Sequence, residues 1–177
     1  MLTSLAPPTQ EEYAPYYAGY INRIGQGEDV LATLWEQLQS TPELLRRVEE
    51  SRGGFRYAAG KWSIKEVIGH LTDTERIMSD RALRIARGDA TPLPGFDENA
   101  YVPAGEADAR SMDDLVTEWS DVRRATLALF RGLPPAAWAR RGVANGSTVS
   151  VRALAYIVAG HERHHLETLR NRYGVKG

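Results

Sequence analysis

Hydrophobic positions recur along this chain with a helical period. Residues 11–24 place Tyr13, Tyr17, Tyr20, Ile21 and Ile24 on one side, until "GQG" at 25–27 breaks the pattern. Val30, Leu31, Leu34, Trp35, Leu38, Leu45 and Val48 hold a second stripe, in which Pro42 predicts either a kink or a new helix after Thr41. A third stretch opens on a capping box, Ser63 with Glu66, flanked by Trp62 and Val67 in the positions of a hydrophobic staple. Val67, Leu71, Thr74, Met78 and Ile85 then share a face. Arg84 and Arg87 suit the negative end of the helix dipole, and Gly88 can supply the left-handed stop. A further helix begins near Ser111, with Asp114 at the capping-box distance, and carries Leu115, Trp119, Val122, Leu129 and Phe130 to "LPP". The last spans about 150–173 and ends at Gly174.

Residues 88–110 hold three prolines and three glycines without any period. They predict a long loop, and long loops in compact domains are often functional. "RRGVANGSTVS" reads as a second loop; neither a strand pattern nor a repeat of fixed period is evident. The expected fold is all-α, a four-helix bundle of the up-down type, built as one domain over residues 1–177.

Composition narrows the possible chemistry. The chain has 22 basic and 23 acidic residues, net charge −1, and no long Lys/Arg run, which argues against a nucleic-acid partner. It has no cysteine, so disulfides, thiolate ligands and a cysteine nucleophile are excluded. The N-terminus lacks the basic-then-apolar order of a signal peptide, and no apolar run approaches the roughly 20 residues of a membrane span. The expectation is a cytoplasmic protein with no membrane partner.

Three of the four histidines fall in "IVAGHERHHLETL", residues 157–169. At 100° per residue with Leu154 at zero, His161 lands near 340° and His165 near 20°, inside the stripe of Leu154, Val158, Val151 and Leu169. His164 lands near 280°, on its flank. His70, beside Leu71 and a turn past Val67, also faces the buried side. A lone histidine on an apolar face is more often a hydrogen-bonded core residue than a ligand. The i, i+4 pair shifts the balance, because burying three imidazoles without partners is costly and one divalent ion satisfies a nitrogen on each. Three neutral nitrogen ligands leave an open coordination position, as catalytic sites do.

His161-Glu162-x-x-His165 also spells the zinc-protease motif. Such proteases take their third protein ligand downstream, where only Glu167 remains, about 200° round the helix from His165. Glu162, at about 80°, reads as a helix-surface or supporting acid. Asp73 is placed to hold the free N–H of a ligand histidine, and Glu75 to pair with arginines a turn away. Arg81 reads as a salt-bridge partner, with an anionic substrate group as the alternative. Asp97 and Asn99 lie where the long loop would roof a pocket, although an Asx turn explains them nearly as well. Glu66 belongs to the capping box, and the tyrosines and tryptophans to the core.

The stretches "GKWSIKEVIGHLTDTERIMSDRALRIARGDATPLPGFDENAYV", "VRRATLALFRGLP" and "VSVRALAYIVAGHERHHLETL", with the opening "YYAGYIN", resemble the DinB-like superfamily of four-helix-bundle metal proteins, YfiT-type and bacillithiol-transferase-type members included. The resemblance implies a divalent metal, zinc or nickel, held by three histidines that fall by position on His70, His161 and His165. It implies a homodimer and thiol-transfer chemistry, in which a metal-activated low-molecular-weight thiol attacks a small-molecule electrophile; metal-assisted hydrolysis is the alternative within enzymes. A non-catalytic metal- or small-molecule-binding module of stress responses is the competing class. No side-chain nucleophile is evident, so the activated group belongs to the cosubstrate, and the pocket would draw on Asp73, Arg81, Asp97, Asn99 and His164.

Overall fold

Capping side chains set the start of every long helix. The computed structural model describes residues 5–176. Its helices are α1 (Ala18–Ile21), α2 (Val30–Arg46), α3 (Ile64–Ala86), α4 (Glu98–Ala104), α5 (Met112–Arg131) and α6 (Val151–Tyr173), with β1 (Arg141–Ala144) and β2 (Ser147–Ser150) forming a hairpin before α6. Asp29 accepts from the backbone N–H of Leu31 and Ala32, each at 2.9 Å. Ser63 Oγ accepts from Glu66 N–H at 3.0 Å while the Glu66 carboxylate accepts from Ser63 N–H at 2.8 Å, completing the expected capping box. Ser111 and Ser150 cap α5 and α6 through Asp114 N–H and Ala153 N–H. Each cap satisfies donors that a helix start otherwise leaves orphaned. Gly88 (φ 82°) and Gly174 (φ 67°) provide the left-handed residues after α3 and α6.

The four long helices form the bundle, but not in up-down order. Helix α3 packs against α5 and α6, and α2 packs against α5 and α6, which puts α2 diagonal to α3 and α5 diagonal to α6. Ion pairs and hydrogen bonds give the directions. Gln37 and Thr41 of α2 meet Ala159 and Glu162 of α6 in parallel order. Helix α5 runs antiparallel to α2, with Arg123 at Leu34 and Arg46 at Asp113, and parallel to α3, with Arg76 at Glu118 and Ser63 near its start at Asp108. The α3–α5 connection must therefore travel back along a helix of about 34 Å. That requirement accounts for the long segment after Gly88. It is less irregular than expected, since it holds α4, capped by Asp97 and ending at Gly105, and the turn Ala107–Ala109.

Three further segments differ from expectation. Residues 11–24 make two 3₁₀ turns and the short α1 in place of a continuous helix, because Pro15 holds Ala14 in an extended conformation (φ −65°, ψ 142°). At Pro42 the second of the two expected outcomes does not occur: no new helix opens there, and α2 runs through it to Arg46. The segment read as a loop before α6 is a hairpin, turned at Asn145 (φ 49°) and Gly146 (φ 71°), the two positive-φ residues of a type I′ turn. Leu93 of the crossover joins its edge, donating to Val143 O at 2.8 Å and accepting from Asn145 N–H at 3.0 Å.

Apolar packing divides into two clusters along the bundle. One gathers Val30, Leu34, Met78, Ile85, Phe130 and Leu154; the other gathers Leu45, Ile68, Leu71, Leu115, Trp119 and Leu169. Between them each long helix contributes polar side chains: Gln37 and Thr41, His70 and Glu75, Arg123, then His161 and Glu162, all buried. Among the described residues no helix is long and apolar enough to cross a membrane.

Candidate metal centre

This polar layer has two sides. On one, fully buried Arg123 donates from Nε and Nη2 to the two Glu75 oxygens, both at 2.8 Å, and from Nη1 to Gln37 Oε1 at 3.2 Å. Its Nη2 also lies 2.7 Å from Glu162 Oε2, whose other oxygen accepts from Thr41. Glu162 is therefore neither on the helix surface nor turned toward the histidines, and the protease reading loses its general base. Glu75 finds its arginine on another helix, not a turn away on its own.

On the other side, α3 and α6 bring His70, His161 and His165 together. Ser63 fixes where α3 begins, so the turns of α3 deliver His70 to the middle of α6. His70 Nε2 lies 3.0 Å and His165 Nε2 3.1 Å from His161 Nε2, and one nitrogen from each ring falls within 4.8 Å of the others. His70 is 8% exposed and His161 6%. Burial pushes the pKa of His70 down to about 4, helped by nearby His164. Burial, then His70, His164 and Arg23, take His165 down to about 2, and His161 falls well below the ordinary value for the same first reason. The three rings are neutral at physiological pH.

Neutral rings in this arrangement suit a cation better than one another. Each imidazole nitrogen is either donor or acceptor, so His161 Nε2 cannot serve two neighbouring Nε2 atoms with good hydrogen bonds. Three lone pairs pointed at a shared ion resolve the conflict. Tetrahedral zinc with nitrogens at 2.0–2.1 Å needs N–N separations of about 3.3 Å, close to the 3.0 and 3.1 Å that His70 and His165 keep from His161. The donor set fits a divalent transition metal.

The histidines form one end of a cleft of about 370 Å³. Trp62 stacks toward His165 (ring centroids 6.4 Å, 22° between planes) and tilts over His70 at 4.7 Å. Tyr20 packs edge-on against His161 at 5.2 Å and His164 at 5.5 Å. Tyr17, Phe96, Glu98 and Arg81 continue the walls. Sequence reasoning missed Tyr17, Tyr20 and Trp62, assigned to the core, and Phe96 and Glu98, for which there was no periodic signal.

The remaining candidates separate. His164 stays on the flank, outside the group of three. Asp73 bonds to no histidine among the described residues; it faces a crevice with Glu66, Arg110 and Glu118, and its nearest cation is Arg76 at 3.8 Å. Asp97 accepts from Asn99 N–H at 2.9 Å, the Asx-type cap of α4, and neither residue lines the cleft. Arg81 does line it, and forms none of the ion pairs among the described residues.

Solved structures share this architecture. YfiT from Bacillus subtilis, described as a probable metal-dependent hydrolase with an unusual four-helix-bundle topology, aligns with a TM-score of 0.69 at 18% identity over 93% of this chain and 95% of its own. A mycothiol-dependent maleylpyruvate isomerase aligns with a TM-score of 0.65 at 16% identity, over 77% of this chain and 57% of its own. The DinB-like protein YjoA from Bacillus subtilis gives 0.57 at 17% identity, over 80% and 87%. No curated protein matches the sequence. The profile of the DinB superfamily matches residues 33–169, from early α2 through the last of the three histidines. Bundle, site and profile agree: the chain belongs to the DinB superfamily.

Proposed function

We propose that this protein is a divalent-metal-dependent enzyme of the thiol-transferase type, with zinc or nickel held by His70, His161 and His165. The observation that carries the reading is the convergence of three neutral imidazoles, two buried and His165 half-buried, at one end of an aromatic cleft. The ion supplies a Lewis acid that lowers the pKa of a coordinated thiol or water. The chain's own residues hold that ion, wall off the reacting groups with Trp62 and Tyr20, and leave the cleft for a small molecule. The chain has no cysteine, so the thiol comes from a low-molecular-weight cosubstrate. Similarity to a mycothiol-dependent isomerase supports this chemistry. Metal-dependent hydrolysis is the second reading, favoured by the similarity to YfiT. A homodimer, implied by the resemblance, is a separate proposal that light scattering checks.

Metal content of the purified protein, beside His165→Ala and His70→Ala, is the first measurement. Stoichiometric metal in the wild type and its loss in both variants is expected; equal content in all three would sink the site. Incubation of the metal-loaded protein with 1-chloro-2,4-dinitrobenzene and a panel of cellular thiols should give conjugation that depends on the thiol. Product formed without any thiol would favour hydrolysis, and no turnover by fully metallated protein would favour a binding module.

A further inference from the structure

The bundle contains two buried guanidinium groups, and it treats them differently. Arg123 is given two carboxylates. Arg81, 4% exposed, is given a backbone carbonyl, with Nη2 donating to Pro94 O at 2.6 Å, and a thioether, with Nη1 3.6 Å from Met78 Sδ. Its guanidinium carbon lies 5.9 Å from the centre of the Phe96 ring, and the Tyr17 hydroxyl is beside it: burial raises the Tyr17 pKa while the Arg81 charge opposes the rise. Pro94 O and Met78 Sδ thus take two of its five N–H donors and the Tyr17 hydroxyl engages another, and none of these partners carries a charge. A buried cation without counter-charge is expensive, and a guanidinium fork matches a carboxylate in two parallel hydrogen bonds.

Position gives this charge a purpose. Arg81 follows His70 by eleven residues on α3, which returns it to within about 20° of that histidine. Thr74 and Met78 lie between them, and all four residues line the one cleft. The helix rise separates the two positions by about 16 Å, and Arg81 leans back toward Met78, shortening the span.

We propose that Arg81 is an anion subsite, and that the molecule accepted by this cleft carries a carboxylate at the end remote from the three histidines. This rests on the reading of the cleft as the substrate site and adds a substrate class to it: an elongated organic acid whose middle is apolar enough to lie between Tyr17, Tyr20, Trp62 and Phe96. Glu98, on the same cleft, repels a dianion more than a monoanion, which favours carboxylate over phosphate.

Calorimetric titration with 4-phenylbutyrate and with its neutral isostere 4-phenylbutyramide tests this on metal-free protein. Wild type should bind the acid at least tenfold more tightly than the amide. Arg81→Gln should bind the two alike, and Arg81→Lys should keep part of the preference, with circular dichroism verifying the fold of each. Equal affinity in the wild type, preference surviving in Arg81→Gln, or no binding of either probe at millimolar concentration would each overturn the proposal. Should Arg81→Gln not fold, the wild-type comparison and Arg81→Lys still decide it. Because these titrations are done without metal, they fail separately from the metal-content measurement above.

Discussion

Single side chains here carry opposite burdens, and the histidines show the sign most clearly. In the unfolded chain a histidine takes up its proton near pH 6.5. In the fold, His70 resists until about 4 and His165 until about 2, because both are buried among other rings. Below 6.5 the unfolded state therefore binds more protons, and acid favours unfolding. The stability is fully present above 6.5 and declines as the pH falls toward 4. Thermal melts of metal-free protein should show Tm dropping from pH 7 to pH 5, with a shallower slope in His165→Ala; a flat profile would contradict the burial argument. The trio was legible in the sequence because the i, i+4 spacing and a single-stripe wheel suffice to aim His161 and His165. The same wheel misplaced Glu162. Nearly every residue of α6 from Val151 to Glu162 is buried, so a direction away from Leu154 does not lead to solvent.

Elements set where those side chains land. Ser63 begins α3 and also donates to Asp108 Oδ1 at 2.5 Å, joining the cap to the segment that leads into α5. Ser63→Ala should cost about 1 kcal/mol in urea denaturation. Gly160 is a sharper case. A Cβ there would stand 2.0 Å from the Tyr20 carbonyl oxygen, so a helix interior accepts glycine in order to let α1 press onto α6. Gly160→Ala should destabilise by about 1–3 kcal/mol and expose residues before Asp29 to limited proteolysis sooner than in the wild type. Unchanged digestion would show that the segment can shift at no cost. These contacts were not legible, since periodicity describes one helix at a time and says nothing of what approaches it. The hairpin was missed: Asn145-Gly146 is a type I′ turn signal, but the runs on either side are four residues each and show no clear alternation, so the segment read as a loop. Helix α4, seven residues with Pro103 inside, gave no period to find.

Across the molecule, the charged middle layer binds all four long helices. Replacing Arg123 by Met would leave Glu75 and Glu162 buried without their cation, at a cost of about 3–5 kcal/mol, and adding Glu75→Gln and Glu162→Gln should recover part of it. Equal urea midpoints for wild type and Arg123→Met would refute this. The helix order, with α2 opposite α3, was beyond the sequence, because stripes reveal that a face is covered but not by which neighbour. The layer has one more consequence. A greasy bundle can slide by a turn and still bury grease, whereas here each long helix must present its few hydrophilic groups at one shared height. The three histidines and the Arg123 cluster therefore work as a gauge that admits one vertical alignment of the helices. Seven residues inserted between Leu38 and Thr41, close to two whole turns, would break that alignment while leaving the stripes within about 20° of their present phase.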